Sequence, residues 1–536
     1  MASNPLSPEA LKLLESYKQA LESEKNYNDK DAEKITVHQV SSKLAFFYEK
    51  LRNTVDYKEE HLLRKNGIKR ILKRRIATEK NEADVAKFLV FELVRAGYLP
   101  NKVIPESRIK DIELIIDKYT YLLNHIPNPE GEGDYYNDFL FDWIVGIASC
   151  EIEEKLVPHG RENVVTNFAR EVIEKKTEVQ EGLVIKPERK KELIYVAVLK
   201  NIAKADMDMM RYRIFIMRHP DWIIAPSEDT ISKMGLAIRS VIRDTDRIIN
   251  HRYVENFSRA VKKNLAYFTI LQEVIFKSPK DLDYAFSHHY RLEDAIKETC
   301  VKKYREAQTK LHRSAMRSIA YIFITKVILA LIIELPFDKY IIGHINYFAL
   351  GVNIFFPPLL MAIVVLNINV PSKKNTELIV SGIKNMIYGD YGKPYIIKRA
   401  ASPDSFFLRA FRFFYLVIFS ISFGAIIIIL RNLGFNGVSI ALFLFFLSVV
   451  SYFGIRIRHN ARELLVVQKK EGVVNFVKDL FLMPIIQVGQ WLSVKLSSVN
   501  VFVYVLDFII EAPFKTFVEI FEKWIYYIKE EQDKIE

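Results

Sequence analysis

SIAYIFITKVILALIIEL (Ser318–Leu335) decides how the rest of this 536-residue chain is read. It approaches the ~20 apolar residues needed to cross ~30 Å of hydrocarbon, with one lysine, Lys326, at its middle. Three more runs follow: one within Ile341–Val370, FFYLVIFSISFGAIIIIL (Phe413–Leu430) and GVSIALFLFFLSVVSYFGI (Gly437–Ile455). A helix in a soluble core is seldom apolar on every face. Four in succession predict a transmembrane region over 318–455, with spans at about 318–335, 345–370, 413–430 and 437–455.

The flanking charges predict orientation. Lys302, Lys303, Arg305, Lys310, Arg313 and Arg317 precede the first span, and Arg456, Arg458 and Arg462 follow the fourth. The loop 371–412 holds Lys373, Lys374, Lys398 and Arg399 among others. The connections PFDKY (Pro336–Tyr340) and RNLGFNG (Arg431–Gly437) carry one basic residue each. By the positive-inside rule, the N- and C-termini and the 371–412 loop are expected in the cytoplasm of a multi-pass membrane protein. The start, MASNPLSPEALKLLES, lacks the basic head and apolar core of a signal peptide, so the first internal span is expected to drive insertion.

Before the spans, charge is dense and interleaved with apolar residues at helical spacing. Ser7-Pro8 predicts a helix start, the hydroxyl capping and the proline in the first turn. Val37, Val40, Leu44, Phe47 and Leu51 alternate by three and four, as in a helix packed along a coiled-coil-like seam, and Gly67 is expected to end or bend that helix. Further helices are predicted over Asn81–Tyr98, Pro105–Ile126 and Asp134–Val157, and no segment shows sustained strand alternation. Leu292, Ile296, Cys300, Tyr304 and Leu311 mark one face of a helix expected to run unbroken from after Pro279 into the first span. The expected fold is all-α: a cytoplasmic helical domain (1–317), a four-helix transmembrane region, and a tail (456–536) of cytoplasmic or interfacial amphipathic helices. Phe476–Leu496 and Val499–Ile510, interrupted by Lys478, Asp479, Pro484, Lys495 and Asp507, are expected to lie along the cytoplasmic interface, with a dip into the membrane as the alternative. Phe514, Phe517, Phe521, Trp524 and Ile528 predict an amphipathic seam after Pro513.

The net charge of +12 suits an anionic surface. The run RKNGIKRILKRR (Arg64–Arg75) offers Lys69, Arg70, Lys73, Arg74 and Arg75 as contacts for lipid headgroups, against the plainer reading of a solvated helix face. No zinc-finger spacing or aromatic RNA motif accompanies it, so nucleic acid is not an expected partner. Two cysteines, Cys150 and Cys300, make neither a disulfide framework nor a metal cluster. HExxH, G-x-S-x-G, the Walker phosphate loop and GxGxxG are all absent, so no catalytic site and no cofactor or metal is expected. His289 and Glu293 lie one helical turn apart, but no further ligand is suggested.

Lys326 is the strongest candidate for a site. A lysine at the centre of a span costs roughly 2.5–3.5 kcal/mol on insertion scales, so it should face protein. Glu334 stands ~12 Å along the axis, too far for contact within one straight helix. Asn353, on the returning second span, falls near the lysine's depth. Pro357 and Pro358 cannot donate to the carbonyls of Asn353 and Ile354, which leaves acceptors free. A polar cluster of Lys326, Asn353 and the carbonyls opened by Pro357 and Pro358 is expected.

More than half the chain precedes the spans, and the third and fourth spans hold no ionisable residue. This composition favours a membrane-anchored scaffold, tether or regulatory protein, whose partners are the bilayer and a protein or second copy of the chain. A small channel or transporter using the Lys326 cluster and the Pro357-Pro358 break is the alternative.

Overall fold

The computed structural model describes residues 5–27, 33–37, 59–78, 82–127, 134–224, 226–277, 282–366, 371, 373–399, 406–461, 463–466 and 473–498. The chain forms two compact units. One is Asn4–Lys263 together with Met386–Arg399, and the other is Asn264–Asn385 together with Ala400–Asn500. The division falls well before Arg317, where composition changes, because hydropathy marks where apolar surface begins and not where packing ends.

The first unit contains α1 (Pro8–Tyr27), α2 (Glu60–Thr78), α3 (Glu82–Arg95), α4 (Ser107–Asn124), α5 (Asp134–Leu156) and α6 (Gly160–Lys175). After β1 (Thr177–Val179) come α7 (Pro187–Asn201), α8 (Met207–Arg218), α9 (Glu228–Ile249) and the start of α10 (Val254–Lys277). One core of this unit packs Leu89, Leu93, Trp143, Ile144, Phe215, Trp222 and Ile238 from α3, α5, α8, α9 and the turn after α8. Each such side chain contributes roughly 1.5–3 kcal/mol on full burial. Trp222 meets Phe215 edge-on at 5.5 Å, the arrangement that ring quadrupoles favour.

Ser7 caps α1 as its sequence predicts: Oγ accepts from Ala10 N at 3.1 Å. Val37 is itself outside any described helix, its N–H and C=O both bonded by the Asn101 amide. Val40, Leu44, Phe47 and Leu51 lie outside the described residues, as do Phe514, Phe517, Phe521, Trp524 and Ile528. Gly67 neither ends nor bends a helix. It sits inside α2 because Tyr98 covers it; an added Cβ would stand 2.9 Å from that ring.

The segment Met386–Arg399 brings a strand to this unit. β2 (Tyr395–Ile397) pairs in parallel with β1, Thr177 opposite Tyr395 and Val179 opposite Ile397. Three-residue strands are too short to show alternation, which is why they escape a reading by periodicity. Ser7 N also donates to Ile387 O at 2.8 Å, and Tyr391 Oη to Glu9 Oε2 at 2.7 Å.

The second unit holds α11 (Leu282–Ser287), α12 (His289–Leu329), α13 (Tyr347–Leu366), α14 (Lys373–Tyr388, to Asn385), α15 (Phe406–Asn432), α16 (Gly437–Ala461) and α17 (Val473–Ser498). The helix expected to run unbroken from after Pro279 is interrupted at His288, whose extended backbone separates α11 from α12. From His289, α12 is unbroken into the first apolar run, and Leu292, Ile296, Cys300 and Tyr304 are buried on it as expected. It continues through a π-helical turn at Ala330–Glu334, a short α segment at Leu335–Phe337 and a second π turn at Asp338–Ile342. Four helices are long and apolar enough to cross a membrane: His289–Ile342, Tyr347–Leu366, Arg409–Asn432 and Gly437–Arg458. Their apolar side chains point outward to a degree that water does not permit, Phe355 being 63% and Ile428 62% exposed.

α17, which contains the Phe476–Leu496 segment, packs lengthwise on α16 and also touches α15. Gly489 rests against the Ser448 carbonyl and beside Tyr452, while Tyr415 Oη of α15 donates to Gln487 Oε1 at 2.6 Å. Such close approach of two backbones is what a small residue at a helix crossing allows.

Candidate functional site

The apolar helices enclose a charged cluster. Lys326 Nζ donates to Glu334 Oε1 at 2.9 Å, and both side chains are fully shielded within the protein. Asn353 Nδ2 donates to Glu334 Oε2 at 2.7 Å and to the Ser439 carbonyl of α16 at 3.3 Å. Lys326 Nζ also stands 4.8 Å from the centre of the Phe446 ring, whose negative face attracts it.

The Lys326–Glu334 contact corrects the straight-helix argument. Eight residues of α-helix overshoot two full turns by about 80°, so the two side chains would diverge. A π turn closes i→i+5 hydrogen bonds and takes more residues per turn, which carries Glu334 back towards the lysine's face. Pro336 explains the placement: with no N–H it cannot close an α turn onto Ile332, and Leu335 N bonds to Ala330 O instead. Pro336 was the sequence signal for this site. Glu334, which supplies the centre of the cluster, is the residue that sequence reasoning passed over.

Lys326 and Asn353 are thus brought together, with Glu334 between them. Pro357 and Pro358 lie buried within α13, directly after the turn bearing Asn353. The lysine is satisfied by the carboxylate and not by the carbonyls that the prolines open. The Asn353 amide orientation is set by its neighbours, since its nitrogen faces two acceptors. Its Oδ1, fully buried, finds no donor among the described residues.

The polar groups extend to one end of the bundle. Asp338, buried one turn beyond Glu334, accepts from Asn436 Nδ2 at 2.6 Å. Asn436 Oδ1 caps α16 by accepting from Ser439 N at 2.9 Å. Asn346 caps α13 in the same way, accepting from Ala349 N at 3.1 Å, and donates to Gly434 O at 3.2 Å. On the opposite side of Lys326 lies an apolar cluster of Ala315, Ile322, Met361, Val365, Phe446 and Val450.

In the first unit, the basic run is spent on internal acids. Lys69 Nζ bonds Asp142 at 3.0 Å and Asp208 at 2.9 Å, Lys73 bonds Asp142, and Arg74 grips both oxygens of Glu92. Burial works to raise the Asp142 carboxyl, but the Lys73 and Lys69 hydrogen bonds outweigh it and hold it below the usual range. Arg75 lies over the Phe88 ring at 4.8 Å, and Arg70 is half-buried on the same helix. The expected headgroup contacts of Lys69, Lys73 and Arg74 therefore give way to ion pairs within the unit. Their acids stand 18 to 139 residues away in sequence, beyond the reach of local patterning.

The same unit has a groove of about 580 Å³, lined by Leu114, Ile223 and Ile231 together with Asp111, Asp117 and Glu228. Lys118 and Glu151 pair at its floor at 2.5 Å, and Tyr119 Oη donates to the other Glu151 oxygen at 2.7 Å. Among the described residues no group of acids, histidines or cysteines is arranged to hold a metal ion. Glu293, beside His289, is taken by Lys297 and Lys384.

Comparison with known proteins finds no matching family model, no similar curated protein and no similar solved structure.

Proposed function

We propose that this multi-pass membrane protein is an anchored scaffold or tether that works without catalysis, through contacts made by its N-terminal unit. The carrying observation is the building of Met386–Arg399, from between the second and third apolar helices, into that unit through β2 and the Ser7 and Glu9 contacts. Chain connections at Lys263–Asn264, Asn385–Met386 and Arg399–Ala400 then join it to the apolar helices, where a single flexible linker would otherwise serve. A platform held at several points suits a partner that must be engaged at the membrane. The basic flanks of the apolar helices support a cytoplasmic position for this unit.

The groove bearing Leu114, which is 61% exposed, and Ile223 offers an apolar contact rimmed by acids on a protein that is otherwise basic. Its expected occupant is a protein segment, from a partner or from a second copy. Crosslinking of the full chain in membranes should recover that partner, and Leu114→Arg should abolish recovery without changing expression. Recovery unchanged by Leu114→Arg would remove the groove from the reading, and no recovered partner would count against the scaffold itself.

A second reading, passage of a small ion, is favoured by one observation: the polar chain from Asn346 and Asn436 to Lys326 ends on an apolar seal. A flux assay in liposomes tests it.

A further inference from the structure

We infer that the Glu334–Asn353 cluster is a binding site for a monovalent cation, an alkali ion or a proton. The buried charges do not balance. Lys326 contributes one positive charge, whereas Glu334 and Asp338 contribute two negative ones, and the three residues are at most 4% exposed. The donors that face the carboxylates besides Lys326 are the neutral amides of Asn353 and Asn436, and His344, the other titratable group near Asp338, is exposed to solvent. Buried charge left uncompensated is costly.

The Asn353 oxygen points to the same ligand independently. It sits on the amide that touches Glu334, has no donor among the described residues, and cannot be satisfied by flipping the amide, since the nitrogen would then lose two acceptors. An amide oxygen beside a carboxylate is a hard oxygen environment of the kind small cations take. Lys326 already offsets one carboxylate, so a single further positive charge balances the site, and a divalent ion would overcharge it. An anion is disfavoured because the one buried ammonium is engaged by Glu334.

The polar groups are one-sided: Asn346, Asn436 and Asp338 lie towards one end of the bundle from Glu334, and Ile322, Met361, Phe446 and Val450 pack on the other side. The site deepens the ion-passage reading by naming the ion class. Its test is separate, because binding is read by stability and passage by flux.

The test uses the full chain in nanodiscs, with thermal unfolding followed in NaCl, KCl and choline chloride at equal ionic strength, and in choline chloride across pH 5–8. A ligand that binds the folded state raises Tm with its concentration. The expected result is a Tm several degrees higher in NaCl or KCl than in choline, lost in Asn353→Ala, which assigns an alkali ion. Alternatively, a pH-dependent rise that is present in wild type and absent from Glu334→Gln assigns a proton. Glu334→Gln keeps the side chain's shape and one accepting oxygen while removing the charge, and Lys326→Met with Glu334→Gln, which strands no ammonium, carries the test if a single variant does not fold. Equal Tm in all three salts, with a pH profile that Glu334→Gln leaves unchanged, overturns the site. In liposomes, absence of flux alongside salt-dependent stability rejects passage and leaves the binding site standing.

Discussion

Glu334 reaches Lys326 at 2.9 Å across eight residues of one helix, a contact made by a π turn and not by any second helix. Removing one partner strands the other as a buried charge. Lys326→Met should therefore destabilise the chain by about 3–5 kcal/mol, the cost typical of breaking a buried pair. Lys326→Met combined with Glu334→Gln should recover a large part of that loss. Thermal unfolding of Lys326→Met, Glu334→Gln and the double variant in detergent decides the point, and additive losses would show that the residues do not interact.

Much of this fold could be read from the chain, and the limits have physical causes. Hydropathy located all four apolar helices, the fourth beginning at Gly437 as expected, because a bilayer imposes length and composition directly on sequence. Ser7 capped α1 because capping is decided within four residues. The candidate site was half legible: Lys326 and Asn353 stood out as polar groups at mid-span. Glu334 was set aside because a regular α-helix was assumed through Pro336. The packing of α17 was not legible, because Gly489 and Ile485, which give it its packing face, belong to no local pattern. Arg64–Arg75 looked like a charged surface because the acids that neutralise it belong to other helices.

A second buried network governs pH dependence in the N-terminal unit. Glu153 accepts from Arg64 Nε at 2.8 Å and from His159 Nε2 at 2.8 Å. Burial acts to lower the His159 pKa, but its hydrogen bond and charge interaction with Glu153 outweigh this and raise it. A base held more tightly protonated in the fold stabilises fully below its unfolded pKa of about 6.5, and this contribution is lost as pH rises through the raised value. His61 has the opposite sign: burial lowers its pKa, so stability is lost as pH falls below about 6.5. In Tm profiles between pH 5 and 9, His159→Gln should remove the decline on the alkaline side. His61→Phe should lessen the decline on the acid side.

The contact of α17 with α16 makes a topological prediction. A side chain at Gly489 has no room, since its Cβ would overlap the Ser448 carbonyl oxygen. Gly489→Leu should cost about 1–3 kcal/mol through overpacking, read as a lowered Tm in detergent. With α17 lying along α16 and Gln487 beside Tyr415, Lys495 falls towards the end of α16 opposite Arg458. In sealed vesicles, Arg458→Cys and Lys495→Cys should react with a membrane-impermeant maleimide from opposite faces. Labelling of both from one face would return α17 to the interface.

The strand pair tests how Met386–Arg399 is held. Tyr395 N donates to Lys176 O at 2.6 Å and Gln180 N to Ile397 O at 3.1 Å, so the pairing depends on few backbone donors. Tyr395→Pro removes the first of these N–H groups while leaving every apolar helix untouched. Lys398 and Arg399, exposed directly after β2, provide tryptic sites, whereas Lys393 precedes Pro394 and is not cut. Limited trypsin digestion of membranes should cut Tyr395→Pro after Lys398 or Arg399 several-fold faster than wild type. Tyr395→Phe, which keeps the N–H, should digest like wild type. If Tyr395→Pro also digests at the wild-type rate, the segment is held by the Ser7 and Glu9 contacts and not by the strand. The anchoring role assigned to β2 would then pass to the start of α1.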